Sequence, residues 1–522
     1  MKYTSQNKNK QLTLDLFRSS FDDLDKHNRW VVLGDTLPWA ELEKIYNSRL
    51  HNNLKGAGNK PARMVIGAMI VKHKLSLSDE ETIQIIRENP YMQYLCGLTE
   101  LTDRPIFDPS LFVAVRNRIT EKEINDMTVR LLEEERRRKA EAAARNENEH
   151  GRQGGQGCSK EEAAQNKKED EFAKEFTDSK GRKHKGVLKM DATCANAEVR
   201  YPVDVDIVND GYRVVDKYIG EVCKALHICK PHTAYKDARR AYLLLVKMKK
   251  RGGRLVRQIL SYMLSCLGKE LRLIVGVFVD HKGSKALLSN SEQRILNATF
   301  GMYQQSEMLA NRTHTCANRI VSIFQPHIRP IVRGKAKAKT ESGAKIGASI
   351  YEGYTFIDHY SWDAYNECSD MALYIKLFEE RFGYLPATIL ADKIYMNTDN
   401  RKLLKEYEIN TYSKPLGRPP KKERPPEYYR KMEKAIGDRN EVECSFGTGK
   451  RIYRADNIRA KLPGTARCWT GMTYFVKNVM KFLRELCLRL FEKIRFWFHL
   501  FDFETHFRVE LLPLKNGKLI FQ

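Results

Sequence analysis

The sequence predicts a mixed α/β fold with an all-helical N-terminal region and a helical insertion. Residues 21 to about 130 read as short helices, and residues 205–318 read as a basic, largely helical stretch. Between residues 319 and 407, strand signals, a hairpin, a helix, a further strand and a helix follow one another, which is typical of a mixed sheet with helices packed on it. Because a chain of 522 residues is too long for one core, we expect several domains.

The charge of the chain indicates a polyanionic partner. Lys and Arg outnumber Asp and Glu by 91 to 66, a formal net charge of +25. Nucleic acid is favoured over a membrane surface, because the bases are spread over many segments with interleaved aromatic and acidic residues. The first residues lack the apolar core of a signal peptide, and the apolar run at 486–503 is interrupted by charges, so we expect a cytoplasmic protein without a membrane partner.

The N-terminal helices carry recognisable start signals. Pro61 suits the first turn of a helix over 62–73, and Ser78 with Glu81 forms a capping box for a helix to about Arg87. The spacing resembles a helix-turn-helix and could place this second helix on DNA, although its acids favour another helix or the loop near Arg104. A purely structural packing module is the alternative.

The middle of the chain contains a linker and the insertion. A charged helix from residue 121 to about 145 loses its apolar stripe, and residues 146–180 have too few large apolar residues to form a core. Asp204 can N-cap a helix with apolar residues at alternating steps of three and four. The apolar run at 273–279 fits either a strand or a buried helix turn.

Two apolar runs end in an aspartate. These are the runs at 187–191 and 387–392, which end in Asp191 and Asp392. Since ligands bind beyond the carboxyl ends of strands in such sheets, we expect both carboxylates there. Further strands are predicted at 319–324, 344–350 and 354–360, the last two joined by a Glu352-Gly353 hairpin turn.

A third acid lies on a helix near the C-terminal end of the mixed sheet. At about 100° per residue, Arg439, Glu443 and Lys450 fall within about 40° of one another on one face. The carboxylate could hold a metal while the two cations steer a phosphate backbone; a solvated salt-bridged face is the alternative. Glu441 points about 200° away from Glu443 and is expected to face solvent.

Asp191, Asp392 and Glu443 would repel one another if they were gathered without counter-ions. Two divalent cations about 3.5–4 Å apart would offset that repulsion and clamp the oxygens of a phosphoryl displacement. All-oxygen ligands favour Mg²⁺ or Mn²⁺, so we predict two such ions held by these three residues.

Longer motifs surround these acids and give a family resemblance. They are Asp191-Ala-Thr193 with Tyr201-Pro-Val-Asp204; Asn311-Arg-Thr-His314; Arg319-Ile-Val-Ser322; Arg329-Pro-Ile-Val-Arg-Gly-Lys335; Arg381-Phe-Gly-Tyr384; Leu390-Ala-Asp-Lys-Ile-Tyr395; Leu416-Gly-Arg-Pro-Pro420; and Arg439-Asn-Glu-Val-Glu443 with Phe446-Gly-Thr-Gly-Lys450. With them the chain resembles DDE transposases of bacterial insertion sequences, of the broad insertion-sequence-five type, from residue 39 to about 481.

The resemblance implies an RNase H-like catalytic core with a DDE triad at Asp191, Asp392 and Glu443. It implies hydrolysis at the element ends and attack of the freed 3′-hydroxyl on target DNA. The partners would be double-stranded DNA, both terminal inverted repeats and target, with a homodimer assembled on DNA and association with the bacterial nucleoid.

The residues expected to bind DNA are Arg439, Lys450, Arg418 and Lys393. Arg418 lies in a Pro-rich basic segment that fits either a minor-groove hook or a stiff spacer. The related signature has a Tyr three residues before the Arg, where this chain has Ile436. Tyr428 or Tyr429 could replace it.

The predicted domains follow these boundaries. They are a helical, helix-turn-helix-like DNA-binding domain at 1–135; a charged linker at 136–182; the RNase H-like core at 183–204 and 319–465; the basic helical insertion at 205–318; and a C-terminal helical region at 466–522.

Two other functions fit parts of the same pattern. One is a catalytically inactive, transposase-derived DNA-binding protein or repressor, which would need the bases without the acids. The other is a plain RNase H-like nuclease, which would cut without binding element ends or joining 3′ ends. All three acids stand at matching positions, which favours an active transposase over binding alone.

Overall fold

The computed structural model describes residues 20–50, 58–152, 171–310, 316–332, 340–413 and 425–500. Six short helices form the N-terminal part, as predicted: α1 (Arg29–Thr36), α2 (Trp39–Ser48), α3 (Ala62–Leu75), α4 (Asp79–Glu88), α5 (Pro90–Leu95) and α6 (Leu111–Arg118).

The start of α4 confirms the predicted capping box. Ser78 Oγ accepts from the Glu81 amide, and the Glu81 carboxylate accepts from the Ser78 amide. Ser76, which follows α3, adopts a left-handed conformation with φ 57° and thereby turns the chain towards α4.

A long helix follows, and it corrects the predicted linker. α7 (Glu121–Arg152) continues beyond the predicted end near residue 145. Arg136, inside the predicted linker at 136–182, donates to Tyr351 OH at 3.0 Å and pairs with Glu352 at 2.5 Å. These contacts hold α7 against the hairpin at residues 351–353. Because they are tertiary contacts, the amino-acid composition of the segment does not predict them. The last part of that range contains β1 (Phe176–Thr177), which pairs antiparallel with β2 (Lys183–His184), directly after the range.

The central sheet has five strands and is mixed. They are β3 (Val187–Asn196), β4 (Arg329–Val332), β5 (Thr340–Tyr351), β6 (Tyr354–Ser361) and β7 (Thr388–Ala391). β5 pairs antiparallel with β3 along one edge, and with β4 and then β6 along the other. β7 pairs in parallel with β3. The β5–β6 connection confirms the predicted hairpin, with Glu352 at φ 48° and Gly353 at φ 78°.

The predicted strand at 319–324 is wrong. This segment forms bends, and the strand of this region is β4, further along the chain. Its alternating burial has another cause, because Val321 packs in the core of the sheet whereas Ile323 packs in the core of the insertion. The segment crosses between two cores without pairing to a strand.

In the described part of residues 204–318, four α-helices surround a core of their own. They are α8 (Asp204–Ala225), α9 (Tyr235–Lys247), α10 (Gly253–Asp280) and α11 (Asn290–Ala310). The ambiguous run at 273–279 is part of α10. Asp204 is the first residue of α8 and not its cap, because Val203 holds that position and the Asp204 carboxylate instead accepts from Arg319 at 2.8 Å.

The remaining helices cover the sheet. They are α12 (Met371–Phe382), α13 (Thr398–Glu406), α14 (Pro426–Tyr453) and α15 (Pro463–Leu500). On one side of the sheet, Val442 of α14 shares a core with Ile346 of β5. On the other side, Phe475 of α15 packs in one continuous core with Ile70 of α3 and Phe356 of β6. The N-terminal helices and the sheet therefore share a hydrophobic core.

Within the part of the chain that the structure describes, no helix is both long enough and apolar enough to cross a membrane.

Candidate active site

The pairing of β3 with β7 brings the two predicted aspartates to neighbouring positions. Parallel pairing runs from Val187 opposite Thr388 to Met190 opposite Ala391. Asp191 and Asp392 are the next residues on the two strands, so they follow side by side where this pairing stops. The prediction that the aspartate lies beyond the carboxyl end of its strand is right for Asp392, which follows the last residue of β7. It is wrong for Asp191, because β5 continues to pair with β3 and extends that strand to residue 196.

Asp191 lies in a partly buried, negatively charged environment. Its Oδ1 accepts from the Ala192 amide at 2.8 Å. Burial raises the pKa of Asp191 to about 6, and the negative charges of Glu367 and Asp392 raise it further. The Ala192 amide and Arg439 act in the opposite direction and lower this pKa. The position therefore has an excess of negative charge that a cation would relieve.

Asp392 and Glu443 are linked by one guanidinium. Arg439 Nη1 lies 3.3 Å from Asp392 Oδ1, and Arg439 Nη2 lies 3.4 Å from Glu443 Oε1. The Arg439 side chain is 18% exposed, whereas those of Asp392 and Glu443 are more than half exposed. Asp392 also accepts from the Lys393 amide at 2.7 Å and so caps the turn Lys393–Tyr395. The two acids thus meet at a solvent-accessible edge of the sheet.

The donor set fits a hard divalent cation in chemistry, since Asp191, Asp392 and Glu443 offer only carboxylate oxygens. Their spacing is looser than a closed metal site, because no three His, Cys, Asp or Glu side chains among the described residues form a group that could hold an ion. Arg439 stands between two of the three acids and provides the positive charge there.

The other residues predicted to bind DNA have different settings. Lys393 is exposed beside Asp392, and Lys450 is half-buried on the same helix as Arg439. Arg418 lies outside the described residues. Ile436 is 43% exposed in α14. Tyr429 precedes it by about two helical turns, so it does not stand at the same position along the helix.

The predicted environment of Glu441 is wrong. We expected Glu441 to face solvent, but its Oε2 lies 2.6 Å from Lys189 Nζ on β3, and its side chain is 41% exposed. α14 packs across β3, and a two-residue step on the helix turns Glu441 towards the strand.

Glu367 is a site residue that sequence reasoning missed. It lies in the turn Glu367–Asp370, and its carboxylate pairs with Lys345 Nζ at 2.8 Å. Lys345 also donates to the Tyr365 carbonyl at 2.7 Å. The influence of Glu367 on the pKa of Asp191 exceeds that of Asp392. Glu367 is distant from Asp191 in the sequence and comes near it only in the folded chain, so no local signal in the sequence could have identified it.

Comparison with known proteins adds two family matches. Residues 18–118 match the model of the Transposase domain (DUF772), and residues 389–480 match that of the Transposase DDE domain. The second match includes Asp392, Arg439 and Glu443, whereas Asp191 precedes it. A Rhizobium meliloti protein described as "Uncharacterized protein ORF8 in nfe locus" is 30% identical over 106 residues, which are 20% of this chain and 50% of that protein. The chain thus spans about half the length of that relative. No solved structure matches the chain.

The two matched domains indicate a transposase. They support the more particular assignment to the insertion-sequence DDE transposases, and this confirms the resemblance that the motifs gave.

Proposed function

We propose that the protein is an active DNA transposase that binds the ends of its insertion sequence and catalyses metal-dependent strand cleavage and strand transfer. The observation that supports this proposal is the contact of Arg439 with both Asp392 and Glu443. Asp191 and Asp392 directly follow the last paired residues of β3 and β7.

The catalytic core of this proposal is RNase H-like and comprises residues 183–204 and 319–465. Its support is the mixed sheet, in which β3 lies between antiparallel β5 and parallel β7 with helices on both faces. The insertion forms a core of its own, whereas the N-terminal helices and the C-terminal helix α15 share a core with the sheet.

Asp191, Asp392 and Glu443 would hold two Mg²⁺ or Mn²⁺ ions. When bound, such ions stabilise the attacking and leaving oxygens of an in-line phosphoryl displacement. The exposure of Asp392 and Glu443 leaves that edge of the sheet open to a DNA strand. Arg439 contacts both acids and presents a planar guanidinium that suits a phosphate group. Lys393, exposed beside Asp392, and Lys450, on the same helix as Arg439, would add positive charge.

The proposed partners are the double-stranded terminal inverted repeats and the target DNA. The net charge of +25 supports a polyanionic ligand of this kind. A homodimer would assemble on DNA, and the protein would act in the cytoplasm at the nucleoid.

Cleavage of the DNA that flanks the coding region tests this proposal. With Mg²⁺, the wild-type protein should cut at inverted repeats, and Asp392→Asn should not, although it should still bind them because binding depends on Lys and Arg. Asp399→Asn is the matched control, since that acid is 90% exposed on α13 and should not matter. Full cleavage by Asp392→Asn would contradict the assignment of the site.

The same assay separates the two other functions. A DNA-binding protein without catalysis would bind the repeats and leave them uncut with every metal. A plain nuclease would cut without preference for the repeats and would not join 3′ ends to a target.

A further inference from the structure

We propose that the exposed face of α10, in the insertion, is a binding surface for the phosphate backbone of duplex DNA. This assigns a role to residues 205–318, which the proposed catalytic site does not use. It rests on the proposed function only in that the protein acts on DNA.

The surface is a stripe of side chains at regular helical spacing. Its members follow at steps of three and four along α10 and are all exposed: Arg254, Gln258, Ser261, Ser265, Lys269 and Arg272. Arg257 is exposed beside its first member. The stripe spans about 27 Å at 1.5 Å per residue, which is about the length of eight base pairs of duplex. Cations at both ends and hydrogen-bond donors between them suit a row of phosphates.

No acid neutralises this stripe from within the helix. Before its last residue, α10 contains a single acid, Glu270. That side chain is fully buried on the opposite face, where it accepts from Tyr212 OH at 3.0 Å. The exposed face therefore has only positive formal charge between Arg254 and Arg272.

The loop that leads into α10 extends the same charge. Residues 247–251 contain four exposed cations: Lys247, Lys249, Lys250 and Arg251. Arg251 Nη2 donates to the Val246 carbonyl at 2.9 Å, which fixes its side chain at the end of α9. None of these cations, nor those of the stripe, forms an ion pair with another described residue.

Some cations elsewhere in the insertion have acidic partners. Lys217 pairs with Glu221 at 3.4 Å on α8, and Arg240 pairs with Asp237 at 3.9 Å on α9. Over residues 205–318 there are nineteen Lys and Arg against nine Asp and Glu. Eight of these cations lie at the loop, at the stripe or beside it, within residues 247–272, which suits a surface that binds a polyanion.

The chemistry of the stripe favours DNA over an anionic membrane. A membrane-binding helix places apolar side chains beside its basic ones, so that they enter the acyl boundary. The stripe has Gln and Ser between its cations, and the exposed apolar side chains of α10 lie beside it (Tyr262) or beyond Arg272 (Val275 and Val279). Charged and small polar side chains are those that contact DNA phosphates without reading sequence.

Binding of the full chain to a random 30-base-pair duplex tests this surface. Two double variants, Arg254→Gln with Arg257→Gln and Lys269→Gln with Arg272→Gln, should each weaken binding about tenfold near 0.15 M salt. Each should also lower the slope of log affinity against log salt by one to two, because each lost phosphate contact removes a slope of about 0.9.

The control is Lys217→Gln with Arg240→Gln, which removes the same formal charge from exposed cations that have acidic partners. It should leave affinity and slope within about twofold of the wild type. Equal losses for the control and the two stripe variants would overturn the proposal, because net charge alone would then explain binding. The proposal would also be overturned if the stripe variants kept duplex affinity and instead lost binding to vesicles containing phosphatidylserine.

A cleavage assay tests the proposed catalytic function independently of this binding surface. With protein in excess over its measured affinity, the stripe variants should still cut the flanking repeats in Mg²⁺. If the wild type binds the duplex through this stripe but cuts nothing, the proposed function fails and this inference stands.

Discussion

Arg439 determines the charge balance of the candidate active site. It is largely buried, and its guanidinium contacts one carboxylate from a strand end and one from its own helix. A salt-bridged helical face was the alternative expected from the sequence, and the Arg439–Glu443 pair does exist. The additional contact to Asp392 is what distinguishes this Arg from an ordinary surface pair, because it joins two segments of the proposed site.

Asp191→Asn should stabilise the protein without metal at pH 7.5. The folded pKa of about 6 lies above the unfolded value near 3.9. The stabilising effect of this acid is therefore complete below the unfolded pKa and is lost as pH rises through about 6, so ionised Asp191 destabilises the fold at pH 7.5. Removing its charge should increase the free energy of unfolding by roughly 1–3 kcal/mol.

Thermal unfolding with and without Mg²⁺ measures this effect. The variant should melt higher than the wild type at pH 7.5, and the difference should shrink at pH 5. Mg²⁺ should raise the Tm of the wild type and have less effect on the variant, because a ligand that binds only the folded state stabilises it. Identical melting curves at both pH values would show that the environment of Asp191 is not as described.

Glu443→Gln and Glu441→Gln should differ in strand transfer from a pre-cut end. The neutral amide at 443 removes a charge that a divalent cation needs, so joining should be lost. Glu441→Gln loses a partly exposed pair with Lys189, which contributes at most about 1 kcal/mol to stability, and should keep most activity. Loss of joining in Glu441→Gln with retention in Glu443→Gln would show that the other acid belongs to the site.

At the scale of elements, the exposed face of α4 is too acidic to suit DNA phosphates. Its inner face buries Thr82, Ile83 and Ile86. Asp79, at its first turn, pairs with Lys72 at 2.8 Å and with both Nη atoms of Arg116 at 2.8 and 2.7 Å. The exposed face of α4 contains three acids and one base. The acids are Glu80, Glu81 and Glu88, the base is Arg87, and Gln84 is neutral. This supports the sequence-based argument that another helix or the loop near residue 104 contacts DNA.

Asp79→Asn should destabilise the N-terminal helices by about 3 kcal/mol, because two largely buried cations lose their counter-ion. Burial opposes ionisation of Asp79, but Arg116 and Lys72 lower its pKa below the ordinary value. Its stabilising effect is thus present at neutral pH and is lost as pH falls through that lowered pKa. Urea unfolding at pH 7 measures it, with the exposed neighbour Glu80→Gln as a control that should change stability by under about 0.5 kcal/mol. Equal stability of both variants would contradict a structural role for the network.

The sequence predicted correctly those features that neighbouring residues alone determine. The capping box at Ser78 and the Glu352-Gly353 turn both form as expected, because each depends on residues within the same few positions. The strand at 319–324 was wrong because its alternation reflects two different cores. The position of Glu367 near Asp191 depends on the tertiary fold, which the local sequence around either residue does not determine.

At the scale of the whole molecule, the N-terminal helices are not packed as a separate body. Ile70 of α3 and Phe475 of α15 lie in the same core as Phe356 of the sheet, and His73 Nδ1 contacts Thr473 Oγ1 at 3.1 Å. A fragment that ends near residue 135 would expose this shared surface to water. End recognition is therefore best tested by substitutions in the full chain.

Metal-dependent joining of a pre-cut element end to a plasmid tests the central claim most directly. Wild-type protein should join the 3′-hydroxyl end in Mg²⁺ or Mn²⁺ and should not do so in EDTA. Asp191→Ala should bind the same end with wild-type affinity and join none of it in either metal. Joining by Asp191→Ala at the wild-type rate, or joining by the wild type in EDTA, would contradict a metal-dependent site built on Asp191, Asp392 and Glu443.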